Sequence, residues 1–200
     1  MTTRAIRRKL DLETPVSRDV VRDCLDMARY APSGGNRQSW GFLAIDDAGT
    51  RTAVARYYRQ AFEAYVAAAP SAARSTSTAR SAQFLAEHLH RVPVLVLACA
   101  TGRPPVTEGP VRLAGYYGSV FPAVWSFMLA ARSRGLGTSL TTVHLTYERE
   151  VATLLGIPFD RVAQIALLPV GYLRGSIPRP AARIDVDSIM CWNRWTVAAP

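Results

Sequence analysis

Ala31-Pro32-Ser33-Gly34-Gly35-Asn36-Arg37-Gln38-Ser39-Trp40 is the stretch on which the reading of this chain turns. Pro32 pushes Ala31 out of the helical region, and Pro-Ser-Gly-Gly-Asn is ideal composition for a tight corner. The two glycines also let the backbone come close to a planar ligand. Ser33 and Asn36 bring donors and acceptors to the same corner. Taken alone, the stretch is a helix-to-strand turn. Before it, Ser17 caps a predicted helix over 17–30. Asp19 lies in its first turn, and Val20, Val21, Cys24, Leu25 and Ala28 make one apolar face. After it, 40–45 reads as a strand ended by Asp46-Asp47.

Working outward, a second helix is predicted over 52–69, stopped by Pro70. Residues 71–80, rich in Ser, Thr, Ala and Arg without periodicity, read as a mobile surface loop. A short helix follows over 83–90. The continuous apolar run 92–100 is a buried strand with Pro93 near its start. Residues 101–115 hold three prolines and three glycines and read as a long loop, of the kind that is disordered or covers a site. The segment 119–134 is a helix apolar nearly all round, with Pro122 in its first turn and Gly135 or Gly137 as its left-handed stop. A helix this apolar has to be buried on most sides, which suggests a core helix shared with a second subunit. Thr146 is the expected cap of a short helix with Glu148 and Glu150 in its first turn, ended by Gly156, and 162–170 is a second buried strand. The tail, 177–200, has little periodicity but carries Trp192 and Trp195, so it is expected to wrap over its own subunit or a partner. No repeat or linker divides the chain, and 1–200 reads as one domain.

The 200 residues carry a net charge of +9 and are 49% hydrophobic, ordinary for a globular domain. No apolar run follows the N-terminal charges, and the most apolar stretch, 120–131, is well short of the roughly 20 residues a membrane span needs. A cytoplasmic protein away from membranes is expected. The pI near 10.1 invites a nucleic-acid reading. However, the cations are arginines spread along the chain, with Lys9 the lone lysine, and no aromatic-interleaved stripe accompanies them. A positive field that attracts phosphate-bearing cofactors is the favoured use. Cys24 and Cys99 read as small core residues. With Cys191 the cysteines form no Cys-x-x-Cys, and His88, His90 and His144 make no metal signature. Nucleophile elbow, Walker loop and dinucleotide fingerprint are all missing.

Three stretches stand out together. Arg4-Ala5-Ile6-Arg7-Arg8-Lys9-Leu10 forms a basic N-terminal element, which alone would be a frayed basic end on solvent. The corner quoted above follows one helix later. Arg134-Gly135-Leu136-Gly137-Thr138 lies beyond the apolar helix, followed by Leu154-Leu155-Gly156-Ile157-Pro158 and Leu168-Pro169-Val170-Gly171-Tyr172. In order and spacing these resemble the nitroreductase family of flavoproteins, with its Arg-x-Ser-x-Arg/Lys-x-Phe element, its Ala-Pro-Ser-x-x-Asn-x-Gln-Pro-Trp corner and its helix ending in Gly-Leu-Gly. The likeness leaves 50–115 unassigned.

The resemblance implies an α+β fold with a central, mostly antiparallel sheet flanked by helices, built as an intertwined homodimer with FMN at each interface. It implies Arg4, with Ala5 beside it, for the flavin phosphate, whose oxygens suit arginine's fork. A C-terminal cation would join them, Arg183 by preference and Arg179 in reserve. Arg8 matches the cation near the flavin pyrimidine, where positive charge favours reduced flavin. Pro32, Ser33, Gly34 and Asn36 match residues that read the imide edge or ribityl chain. Leu140, Thr141 and Thr142 match the segment whose backbone N–H meets the central ring. Ser81 and His88 fall where relatives place polar flavin contacts. Ile6 for Ser, Leu10 for Phe and Ser39 for Pro depart from the pattern. The lost hydroxyl costs on the order of 0.5–1.5 kcal/mol, which weakens flavin binding without abolishing it. The implied activity is hydride transfer from NADPH or NADH to a small electron-poor acceptor, nitroaromatic or quinone-like, by ping-pong turnover with no protein acid–base dyad. The alternatives are a flavin-holding protein with little turnover, or another flavin chemistry of the family.

Overall fold

The computed structural model describes residues 3–176 and 178–196. Four strands form one sheet in the order β1-β2-β4-β3: β1 (Trp40–Ile45), β2 (Val94–Thr101), β3 (Leu136–Thr138) and β4 (Val162–Tyr172). All three pairings are antiparallel. The central pair, β2 and β4, are the continuous apolar runs of the sequence, and helices cover both of their faces. Side chains alternate along β2 as a strand requires. Val94, Val96, Ala98 and Ala100 enter one core with α1 (Arg18–Ala28) and α5 (Pro110–Ser133). Leu95, Leu97 and Cys99 enter a second core, formed with α2 (Ala48–Ala68) and α4 (Ser77–His88). The short helix α3 (Ser71–Arg74) links these last two, and α6 (Glu148–Leu155) precedes β4. The expected α+β fold with an antiparallel sheet between helices is the fold observed.

The N-terminal segment closes one end of the second core. Ile6 and Leu10 are buried, and the backbone bonds Ile6 N–H to the Thr138 carbonyl at 2.8 Å and Asp11 N–H to the Tyr172 carbonyl at 2.8 Å. This packing explains two glycines. A Cβ on Gly137 would stand 2.9 Å from Ile6 Cγ2, and one on Gly171 would stand 2.9 Å from the Asp11 carbonyl oxygen. Gly137 is therefore a strand residue kept small by a close approach. Gly135, at φ +78°, is the left-handed residue that ends α5.

Several boundaries differ from the sequence reading. α2 begins at Ala48 because the Asp47 carboxylate caps it, accepting from Thr50 N–H at 2.7 Å. The predicted loop 71–80 is largely helical, since Thr76 caps α4 through Ala79 N–H at 3.0 Å; α4 thus starts well before position 83. The loop 101–115 ends at Gly109, where Pro110 opens α5 at a position proline favours. Pro122 consequently lies inside the helix. Thr146 belongs to a 3₁₀ turn, Val143–Tyr147, and caps nothing; Gly156 ends α6 in the left-handed conformation as expected. The described tail residues do not bury their tryptophans on the same copy: Trp192 and Trp195 are 79% and 78% exposed.

Candidate functional site

The basic N-terminal element and the end of the chain meet. Beyond β4 the backbone continues antiparallel alongside the N-terminal segment, with Arg174 N–H on the Lys9 carbonyl at 2.9 Å and Lys9 Nζ on the Ser176 carbonyl at 3.4 Å. That path brings Arg179 beside Arg4, whose Nη1 donates to the Arg179 carbonyl at 3.4 Å. Between them is a cavity of about 250 Å³ lined by Arg4, Ala5, Ile6, Arg7, Arg8, Lys9, Ser81, Pro178 and Arg179. The lining holds no acidic side chain, so the field inside it is positive, the setting that draws a phosphate dianion. Ile6, the departure from the family's hydroxyl, faces Gly137 and belongs to the core.

Arg183 is placed elsewhere. Its Nη1 bonds the neighbouring Ala182 carbonyl, and it does not line the cavity. The reserve residue, Arg179, lies beside Arg4 because the chain beyond β4 runs on antiparallel to the N-terminal segment. Ser81 does line the cavity, being on the α4 face turned to the N-terminal segment. His88 instead stacks on Phe84, with centroids 4.2 Å apart and Nδ1 on the Phe84 carbonyl. It borders a smaller cavity of about 180 Å³ that also includes Arg8, Arg91 and Arg174.

Residues 140–142 adjoin this region through Thr138, which forms a bridge with Ala5. The backbone of Thr141 is already committed: its N–H donates to the Leu167 carbonyl at 3.0 Å, and its carbonyl accepts from Leu167 N–H at 2.8 Å. An N–H from this segment toward a ligand must then come from Leu140 or Thr142, which have no N–H partner among the described residues. Thr141 keeps only its hydroxyl, 3.2 Å from the Tyr58 phenol oxygen. Tyr58 was absent from the sequence reading of the site, although Val54, Ala55, Tyr58, Ala61 and Phe62 recur at helical spacing and mark it as buried on α2. Burial pushes its phenol up from the ordinary value, with the Thr141 bond and Arg7 pulling the other way.

The corner 32–36 lies far from both groups. It forms a 3₁₀ turn, Gly34–Asn36, with Gly35 at φ +60°, and Gly34 N–H donates to Ser119 Oγ at 3.0 Å. Ser33 Oγ accepts from Gln38 N–H at 3.1 Å, and Asn36 Oδ1 accepts from the Gln38 side chain at 3.1 Å. The corner leads into edge strand β1, opposite the edge occupied by β3. The register pairs Trp40 with Ala100 and Ala100 with Ala163, whereas Thr138 pairs with Val170. Three strand spacings across and seven residues along the sheet make a separation of roughly 25 Å. α5 gives an independent ruler, since Ser119 lies 14 residues before its last residue, Ser133, about 21 Å of helix. Within one copy, the corner therefore stands far from Thr138 and from the cations beside Ala5.

A half-buried polar cluster joins the segment after β2 to the start of α6. Arg103 makes a two-pronged pair with Glu148 at 2.7 Å for each prong, and Glu148 also accepts from Gln164 N–H at 2.9 Å. Burial alone would raise the Glu148 carboxyl, but these bonds hold it below its ordinary value. Burial pushes the Cys99 thiol up to about 12, helped by Glu148, so it carries no thiolate near neutrality.

The α+β sheet fold thus gathers the N-terminal cations around an acid-free cavity beside edge strand β3. The nitroreductase family profile matches residues 1–172, and the chain belongs to the nitroreductase family. It is 26% identical over 166 residues to 5,6-dimethylbenzimidazole synthase of Rhodospirillum rubrum, covering 83% of this chain and 77% of that protein. It is 25% identical over 179 residues to iodotyrosine deiodinase 1 of Rattus norvegicus, covering 88% of this chain and 62% of that protein. Among solved structures, oxidised iodotyrosine deiodinase bound to FMN and 3-iodo-L-tyrosine matches with a TM-score of 0.72 at 24% identity, over 96% of each chain. Among the described residues, no helix is long and apolar enough to cross a membrane.

Proposed function

We propose that this protein is an FMN-dependent oxidoreductase that moves reducing equivalents from NADPH or NADH to a small electron-poor acceptor. The observation that carries the reading is the acid-free cavity beneath Arg4, Arg7, Arg8, Lys9 and Arg179. Its charge and size suit the phosphate end of FMN, and the bridge between Ala5 and Thr138 puts residues 140–142 next along the chain, where the ring would be held. Arg4, Ala5, Arg8 and Arg179 would hold the phosphate end, and Leu140, Thr141 and Thr142 the ring. When bound, FMN supplies the hydride chemistry, accepting from the nicotinamide and delivering to the acceptor in separate half-reactions. The protein's part is to bind, orient and tune.

Pro32, Ser33, Gly34 and Asn36 belong to the same site in this reading, and the roughly 25 Å separation within one copy means that a second copy must supply them. The exposed tryptophans of the tail and the exposed Phe121 and Trp125 of α5 support that assembly, since they are the apolar surface a partner would cover. The site is therefore proposed to form between two subunits, each giving the cationic end to one flavin and the corner to the other.

A second reading, another flavin chemistry such as reductive dehalogenation of an aromatic, is favoured by the curated relatives, which are named for deiodination and for benzimidazole synthesis. A visible spectrum of the protein, taken with added FMN and then with NADPH or NADH without oxygen, tests both. Flavin bands that bleach with nicotinamide are expected. Bands that persist with either nicotinamide but bleach with dithionite would favour the second reading or a flavin-holding role. No retained flavin would overturn the proposal.

A further inference from the structure

Thr141 has one function left to offer a ligand, and Tyr58 decides what it is. Both backbone groups of Thr141 are spent on Leu167, so only the hydroxyl keeps hydrogen-bonding capacity. A hydroxyl has one hydrogen to donate and two lone pairs. Val143 N–H approaches Thr141 Oγ1 at 3.5 Å, and Tyr58 Oη lies 3.2 Å from the same atom. Tyr58 is 2% exposed, and its phenol has no other hydrogen-bond partner among the described residues. If Tyr58 accepted from Thr141, its own buried O–H would be left with nothing to bond, a costly arrangement. Tyr58 therefore donates. Both lone pairs of Thr141 Oγ1 are then occupied, and its hydrogen is left for an acceptor that the protein itself does not supply. Because burial keeps the Tyr58 phenol protonated well above neutrality, the arrangement persists across the working pH range.

We propose that Tyr58 is a positioning residue that makes Thr141 a donor-only hydroxyl toward bound flavin, and thereby favours the oxidised over the reduced cofactor. The inference rests on the FMN reading above. Oxidised flavin presents ring nitrogens and carbonyls that accept hydrogen bonds. Reduction turns an accepting ring nitrogen into an N–H donor, which a donor-only hydroxyl cannot serve. An unrestrained threonine could turn and accept from it; one held by Tyr58 cannot.

The test is the midpoint potential of the FMN-loaded protein, measured anaerobically against a reference dye, with FMN affinity measured by fluorescence quenching. Tyr58→Phe should raise the potential by about 30 mV, equivalent to a tenfold change in the ratio of affinities for oxidised and reduced flavin. Thr141→Val should give a similar rise, the double variant no more than Thr141→Val alone, and Thr141→Ser the wild-type value. A Tyr58→Phe potential equal to wild type, or additive effects in the double variant, would overturn the proposal. If Tyr58→Phe does not fold, 3-fluorotyrosine at position 58 keeps the hydroxyl as a stronger donor and should lower the potential; an unchanged potential overturns the proposal. A wild-type protein that takes up no FMN overturns the cofactor reading and this inference together. Loaded wild type with an unresponsive Tyr58 variant overturns this inference alone.

Discussion

His144 is a buried histidine with neither ring nitrogen hydrogen-bonded among the described residues. It directly follows the 140–143 segment, and burial pushes its pKa down to about 4 despite the nearby Glu148 carboxylate. An unfolded chain takes up that proton near pH 6.5. Between about pH 6.5 and pH 4 the unfolded state binds more protons than the folded one, so stability falls as pH falls through that window. Above the window the group contributes no slope. The full loss amounts to about 3 kcal/mol. Melting temperature followed from pH 8 to pH 4 should show this decline, and His144→Leu should flatten it with little cost at pH 8, because no hydrogen bond is lost. An unchanged slope in the variant would assign the acid sensitivity to other groups. The residue scale also shows what a motif leaves open. The N-terminal element and its cations were legible in the sequence, but the choice between Arg183 and Arg179 depended on how far the chain beyond β4 runs beside that element.

At the scale of elements, sequence reading did best where the governing interactions are local. β1 was read to the residue, because a proline corner precedes it and two aspartates follow. α1 was read to within a residue or two from its serine cap and apolar spacing. Composition misled where it stood in for caps. Residues 71–80 lack periodicity but contain Thr76, whose side chain starts α4, and Pro110 marks a helix start within what looked like loop. Gly135 or Gly137 was read as the helix stop; Gly135 is that stop, whereas the smallness of Gly137 serves the crossing of the N-terminal segment over β3 and β4. That crossing is testable. In Gly171→Ala the new methyl meets the Asp11 carbonyl, so the variant should lose about 1–3 kcal/mol in denaturant unfolding. If it unfolds like wild type, the N-terminal segment is not seated on β4 as described.

For the whole molecule, the decisive fact is the distance between the corner at 32–36 and the cations at 4–8. If one flavin needs both, two copies share each site. Co-expressing a chain carrying Arg4→Ala with one carrying Asn36→Ala should then yield heterodimers with one doubly altered site and one unaltered site. The Arg4→Ala homodimer should bind FMN at least about tenfold more weakly than wild type, as on removing a bond between charged groups, and the Asn36→Ala homodimer roughly two- to tenfold more weakly, as on removing a neutral one. The isolated heterodimer should bind one FMN per dimer with wild-type affinity. Weak binding at both sites would mean that each flavin is held by a single copy.

By itself the sequence determined the family, the alternation of helix and strand around the apolar runs, and the cationic residue types of the N-terminal element. These depend on capping, turn chemistry and periodicity, which act over a few residues. Only the tertiary structure decided that Arg179 and not Arg183 meets Arg4, that Thr141 has spent its backbone on Leu167, and that Tyr58, 83 positions away, holds its hydroxyl. It also decided that the corner and the cations lie at opposite edges of the sheet. Such pairings depend on strand order and on which faces pack together, and no interaction within a few residues of any of these positions specifies them.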